Sequence, residues 1–174
     1  LATDPDCDRC GTAVFHKGEL RLINGNEMGV LLYDFLLAHK KAVPGSVLVK
    51  TVVTTDMVLP MAQDAGMKVI QVLTGFKFIG EQIGLLEKQG HPERFFFGFE
   101  ESYGYLSGTE VRDKDAVDAS ILVAQMMQNY KDEGKDPIDR LEELYKKYGY
   151  SETSLDNFEF VGPTGPSIMK KILE

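Results

Sequence analysis

Cysteine and histidine are scarce in this chain: 174 residues carry two of the first and three of the second. Cys7 and Cys10 form a C-x-x-C pair, but no second cysteine pair completes a structural zinc site. His16, His39 and His91 are scattered, not spaced as ligands. A thioredoxin-like thiol pair would sit between a strand and a helix, whereas this one precedes a strand. Positive charge is in deficit: 19 Lys and Arg against 27 Asp and Glu give a net charge of −8. That balance argues against non-specific binding to nucleic acid or to an anionic membrane surface. No apolar run is long enough to span a bilayer and no signal peptide is recognisable. With so few cysteines, these features predict a reducing, cytoplasmic setting. No internal repeat, low-complexity tract or glycine-rich phosphate loop occurs. The chain starts at Leu1, inside a motif, so a piece of something longer is expected.

The length suits one domain with a proper core, and 43% hydrophobic with 26% charged residues is ordinary for a globular protein. Short strands are expected over 12–15 and 20–23. Asn24, with Glu27 three residues on, predicts a capped helix start, and the helix runs to about Lys41. Met28, Leu31, Leu32, Phe35, Leu36 and His39 recur at helical spacing and should face the core. After Pro44-Gly45, residues 46–54 predict a buried strand. Asp56 is placed as cap of a second helix to about Ala65, with Pro60 near the edge of its tolerated first turn. A buried strand over 67–73, a helix over 77–89 and a Phe-rich strand over 94–99 follow. A loop over 100–114 leads into a long helix, 115–130, whose Met126 and Met127 are core filler. Asp136 opens a helix to about Tyr148. A linker over 149–155, a short strand over 157–161 and a helix over 166–173 complete the chain. Alternating strands and helices predict an α/β class: a layered α/β/α domain with a mostly parallel, mixed four-stranded sheet. Ligands collect at the carboxyl ends of strands in such folds. Three loops meet that rule: Thr54-Thr55-Asp56, Thr74 to Lys77, and Gly98 to Tyr105.

Asp4, Asp6 and Asp8 alternate ahead of Arg9. Three carboxylates within five residues repel one another, which favours a cation among them, and hard oxygen ligands select Mg²⁺ or a similar ion. Arg9 cannot lose its proton and suits a phosphate. Cation plus arginine is the equipment of phosphoryl transfer. A solvated acidic loop is the plain alternative. An EF-hand is excluded, because counting from Asp4 its required Gly and Glu positions hold Arg9 and Phe15.

Glu100, Glu101 and Ser102 lie between glycines after a strand. Adjacent carboxylates beside a hydroxyl suit a polyol, and an exposed acidic turn is the alternative. Arg112 and Lys114 stand before the long helix, where an anion is favoured; Asp113 or Asp115 is placed as its cap.

Together these segments resemble the α-D-phosphohexomutases, the phosphoglucomutase and phosphomannomutase family. Asp4-Pro5-Asp6-Cys7-Asp8-Arg9 is similar to the family's metal loop, and Phe99-Glu100-Glu101-Ser102-Tyr103-Gly104 to its sugar-binding loop. Thr74-Gly75-Phe76-Lys77-Phe78 is similar to its specificity loop, and Arg112-Asp113-Lys114-Asp115 to the Arg-Glu-Lys-Asp stretch of the glucomutase branch. The four occur in the family's order, across nearly the whole chain. The resemblance implies a four-domain enzyme that moves a phosphoryl group between O1 and O6 of a hexose through a phosphoserine and a bisphosphorylated intermediate. It divides the chain into the end of a second domain (1–16), a third, sugar-binding domain (17–149) and a connector with the start of a fourth (150–174). The phosphoserine loop of the first domain and the phosphate-grasping loop of the fourth have no counterpart here, so these residues alone should be inactive. By resemblance, Asp4, Asp6 and Asp8 hold Mg²⁺ and Arg9 steadies the reacting phosphoryl group. Glu100 and Ser102 bind sugar hydroxyls, and Gly75 and Phe76 form the rim that senses sugar orientation. Lys114 meets a phosphate or assists proton transfer. The implied partners are the hexose phosphate and the remaining domains. A standalone sugar-phosphate-binding module is the non-catalytic alternative.

Overall fold

The computed structural model describes residues 1–154, 156 and 158–174. Two sheets organise it. Strands β1 (Ala2–Thr3), β2 (Cys10–His16) and β3 (Glu19–Ile23) form a small antiparallel sheet. Its β2–β3 hairpin turns at Lys17-Gly18, so the domain boundary anticipated after residue 16 falls between two paired strands. The main sheet has the order β5-β4-β6-β7, built from β4 (Val47–Thr51), β5 (Lys68–Val72), β6 (Phe95–Glu100) and β7 (Gly104–Leu106). β4 pairs parallel with β5 and β6, and β7 returns antiparallel to β6. The expected mixed, mostly parallel four-stranded sheet is therefore present. β7 lies inside the stretch expected to be loop.

Helices α1 (Gly25–His39), α2 (Val58–Asp64), α3 (Phe76–Lys88), α4 (Ala116–Asp132) and α5 (Pro137–Tyr148) surround this sheet, and α6 (Gly165–Leu173) ends the chain. The two-residue period of β4 decides the layers. Leu48 packs into the larger core with α1, α4 and α5, while Val47 and Val49 pack into a second core with Ile79, Ile83 and Leu86 of α3. Each such fully buried side chain contributes about 1.5–3 kcal/mol of burial free energy.

The α1 start is as expected: Glu27 N donates to Asn24 Oδ1 and Asn24 N to Glu27 Oε2, both at 2.9 Å. Asp115 caps α4 and Asp136 caps α5. Four expectations need correction. Asp56 does not cap α2; its carboxylate is taken by Lys50 at 2.9 Å, and the residue before α2 is Met57. β5 is an edge strand with half-exposed residues, because nothing pairs beyond it. His39 is exposed at the end of α1, stacked on Phe35 with Nδ1 2.8 Å from the Phe35 carbonyl oxygen. Of the strand expected over 157–161, Asn157 lies outside the described residues, as does Leu155 of the linker, and residues 158–161 form no strand.

Candidate functional site

The main-sheet strands β4, β5 and β6 end in the three loops singled out by the carboxyl-end rule, and the small sheet brings the acidic loop to the same place. Cys10 N donates to the Tyr103 carbonyl at 3.1 Å, Arg9 forms an antiparallel bridge with Gly104, and Ala116 N approaches the Cys7 carbonyl at 3.4 Å. The acidic loop thus docks on the turn after β6 and on the start of α4. Cys7 (φ 57°) and Tyr103 (φ 68°) hold left-handed backbone on either side of this junction. Non-glycine residues in that region are uncommon and gather at functional turns.

Lys114 joins the two halves. Its Nζ lies 2.8 Å from Asp8 Oδ2 and 3.3 Å from Asp113 Oδ1. Its aliphatic stem crosses Gly104, where a Cβ would come within 2.7 Å of it. Partial burial pulls the ammonium pKa down, but the hydrogen bonds to Asp8 and Asp113 outweigh that and raise it above the ordinary lysine value. Lys114 is therefore a fixed positive charge between the acidic loop and the turn. Arg112, expected beside it, turns away and binds Glu87 of α3 and the Thr109 carbonyl.

Within the acidic loop, Asp4 accepts from Arg9 Nε at 2.8 Å and from the backbone N–H groups of Asp8 and Arg9. The Arg9 side chain leads these in holding the Asp4 pKa down at about 2. A carboxylate depressed in the fold favours closure above its unfolded value and loses that preference as pH falls through the folded value. The Asp4–Arg9 closure is therefore expected to persist below the ordinary aspartate pKa of 3.8 and to open near pH 2. Carboxyl NMR titration of the chain measures this directly, and Arg9→Gln should return Asp4 toward its ordinary value. A wild-type titration already centred at the ordinary value would contradict the closure.

The three loop carboxylates do not offer one oxygen each within 4.8 Å of one another. Among the described residues, the triad that does is His16, Asp136 and Asp139, and its atoms are used in capping α5 and in a 2.8 Å His16–Asp136 contact. The acidic loop nevertheless suits a hard cation. Its donors are all carboxylate oxygens, and Asp8 Oδ1 is buried with no hydrogen-bond partner. Arg9 Nε stands 3.9 Å from it, an ion-pair distance beyond hydrogen-bond reach, so the oxygen keeps room for a cation.

Glu100 ends β6 and is 5% exposed. Its Oε1 accepts from Gly75 N at 2.8 Å, which ties the expected sugar loop to the expected specificity loop. Burial raises the Glu100 pKa and the Gly75 N–H partly offsets it. Gly75 has φ +120°, backbone that a side chain would strain, and it precedes α3 directly. Ser102 is exposed at the tip of the turn. Phe76 departs from expectation: it is 3% exposed and packs in the second core with Val49, Ile79 and Ile83. The first turn of α3 directs its ring inward, so the rim at this point is Gly75 and exposed Thr74 and Lys77.

Glu101, read in the sequence only as one of two adjacent carboxylates, has a place of its own. Its Oε2 accepts from Thr54 Oγ1 at 3.0 Å and lies 3.4 Å from Thr51 Oγ1. Glu101 and Tyr103, with Thr54, Thr55 and Asp56, border a groove of about 720 Å³. The signal available for it was the Thr-rich stretch after β4.

The family model described as phosphoglucomutase/phosphomannomutase, alpha/beta/alpha domain III, matches residues 24–148. The phosphoglucomutase of Staphylococcus aureus (strain N315) is 33% identical over 174 residues, 99% of this chain and 31% of its own length. That of Staphylococcus epidermidis (strain ATCC 35984) is 32% identical over the same share. The chain thus spans about a third of these curated relatives. A solved protein of Thermus thermophilus, assigned to the phosphomannomutases, superposes with TM-score 0.68 at 24% identity, over 84% of this chain and 30% of that one. The Paramecium phosphoglucomutase parafusin, in its open form, gives 0.61 at 19% identity, over 85% and 24%. These superpositions establish a shared fold. With the family model covering most of its length, the chain belongs to the phosphoglucomutase/phosphomannomutase family and contains that family's α/β/α domain III.

Proposed function

We propose that this chain is part of a hexose-phosphate mutase that interconverts hexose 1-phosphate and hexose 6-phosphate, with glucose, mannose or both as the hexose. The observation that carries the reading is Lys114, whose Nζ stands 2.8 Å from Asp8 of the acidic loop while its stem crosses Gly104 of the sugar-reading turn. In this reading the residues through 16 close a preceding domain, 17–149 are the sugar-binding domain, and 150–174 lead into a following one. Asp4, Asp6 and Asp8 would hold Mg²⁺, with the orphaned Asp8 Oδ1 as its buried oxygen. When bound, the ion neutralises phosphoryl charge.

The chain's own residues do the rest. Arg9 presents planar N–H donors that a phosphoryl group takes over from Asp4. Lys114, held protonated by its carboxylate neighbours, grips a phosphate oxygen or delivers a proton to the departing sugar oxygen. Glu100 and Ser102 accept hydrogen bonds from sugar hydroxyls, and the rim at Gly75 limits how the ring lies. The phosphoserine belongs to the remainder of the protein; it gives its phosphoryl group to the hexose monophosphate, leaving free serine and a hexose bisphosphate as the intermediate, and takes a phosphoryl group back from the other end. The protein acts in the cytoplasm.

The full-length protein should convert glucose 1-phosphate or mannose 1-phosphate to the 6-phosphate in a Mg²⁺-dependent reaction that chelator abolishes. The 174 residues alone should convert neither and should bind Mg²⁺ more weakly than micromolar. Absence of conversion by the full-length protein with both sugars sinks the reading. Tight binding of glucose 1-phosphate by the isolated chain, seen by ligand-observed NMR, would favour a standalone binding module.

A further inference from the structure

A buried charge lies behind the loop that borders the groove at Thr54, Thr55 and Asp56, outside every role assigned so far. Lys50 in β4 is fully buried. Its Nζ donates to the Thr54 carbonyl at 2.8 Å and the Thr51 carbonyl at 3.2 Å, and meets Asp56 Oδ1 at 2.9 Å. A buried ammonium is tolerated when all three of its N–H groups find acceptors. Here every acceptor comes from residues 51–56, so the lysine sets the shape of the loop that follows its own strand. Asp56, largely exposed, supplies the counter-charge from the solvent side.

That loop holds the neighbour of the sugar-binding glutamate. Each hydroxyl has one proton: the Thr51 hydroxyl donates to Thr54 Oγ1 at 2.6 Å, and Thr54 donates its own to Glu101 Oε2 at 3.0 Å, with Thr51 Oγ1 3.4 Å from the same oxygen. The Glu101 carbonyl in turn lies against Gly25 at the start of α1. The turn carrying Glu100 and Ser102 is thus gripped through Glu101 by a loop whose geometry depends on one lysine.

We propose that Lys50 is a positioning residue for substrate binding, acting through Thr51, Thr54 and Glu101 on the turn that reads the sugar; this rests on the hexose-phosphate reading above. Lys50 is fully buried and its three acceptors are Thr51, Thr54 and Asp56, so it acts through the loop. Its effect is to hold Glu101 anchored to β4, so that Glu100 and Ser102 keep their spacing to the ring. A purely structural lysine would alter melting temperature without a selective effect on sugar affinity.

The test uses the full-length protein with Thr54→Val, Glu101→Gln, their double variant and Lys50→Met. Thr54→Val keeps the side-chain shape and removes one hydroxyl. It should raise KM for glucose 1-phosphate about 5–10-fold with kcat within about twofold, the scale expected when a binding group is displaced by a fraction of an ångström. Amide hydrogen exchange should quicken at residues 100–104. Glu101→Gln should do the same, and the double variant should be no worse than the stronger single one, because both break one relay. Lys50→Met should follow in the same direction, and a lowered melting temperature with unchanged KM would overturn the proposal; if it does not fold, Asp56→Asn, which removes the counter-charge of the same ammonium from the solvent side, should raise KM in its place. Unchanged KM with unchanged exchange in Thr54→Val, or full additivity in the double variant, overturns the proposal. If the wild-type protein converts no hexose phosphate, the functional reading fails, and exchange at 100–104 still decides whether the relay positions the turn.

Discussion

Asp8→Asn in the full-length protein is expected to lower kcat/KM for hexose 1-phosphate by roughly 10²–10³-fold, the range for removing one charge-stabilising group from a reaction centre. The size of the effect follows from the two faces of this carboxylate. Oδ2 pairs with Lys114 at 2.8 Å, and Oδ1 is buried without a hydrogen bond, 3.9 Å from Arg9 Nε. An amide removes the charge from both. It also presents an N–H₂ either to an ammonium, which cannot accept, or to the place proposed for the cation. Higher Mg²⁺ should recover part of the loss, since weaker ion affinity is one of its two components. The residue that recovery cannot reach measures the Lys114 component. Unchanged kcat/KM would mean that neither the cation nor Lys114 depends on Asp8.

Gly25→Ala should be the most damaging single methyl in the domain for both stability and substrate affinity. A Cβ there would sit 1.9 Å from the Glu101 carbonyl oxygen, 2.6 Å from its carbon and 2.9 Å from Tyr103 N. All three are backbone atoms of the turn after β6, so no rotamer change relieves the contact. Overpacking of this kind costs about 1–3 kcal/mol, and rigid neighbours place it at the upper end. At about 2–4 °C per kcal/mol for a protein of this size, the melting temperature of the chain should fall roughly 6–12 °C. In the full-length protein KM should rise as well, because the turn must shift. Gly84→Ala supplies the control. It lies inside α3 with nothing within 4 Å of the added carbon, and should stabilise by up to about 1 kcal/mol. Equal melting temperatures for the two variants would contradict the close approach of α1 to the turn.

Much of this architecture follows from local chemistry. Asn24 with Glu27, and Asp136 before Pro137, mark helix starts by side chains that bond to backbone three residues away, and both appear as capping boxes. Apolar spacing likewise placed Met28, Leu31, Leu32, Phe35 and Leu36 in the core. The misplaced features depend on residues distant in sequence. Asp56 has the chemistry of a cap, but Lys50 reaches it first, and a lysine within a β-branched run carries no local sign that it is wholly buried. β7 is three residues long and exists because β6 offers it an edge. Phe76 sits in a motif that suggested a rim, yet the helix beginning there faces α3's apolar side inward. In the site, residue types and order were legible at Asp4, Asp8, Glu100 and Lys114. The Asp8–Lys114 pair, the Gly75–Glu100 bond and the Glu101 relay are contacts between segments, and no spacing rule encodes them.

Glu100 and Glu101 are consecutive, yet they are fastened in opposite directions: one to Gly75 after β5, the other to Thr54 after β4. Sliding this hinge-like corner sideways would tear one fastening before easing the other. On the proposed function, epimeric sugars presented to it would have to rotate to match the protein, and discrimination between them would become a matter of which poses the ring can reach.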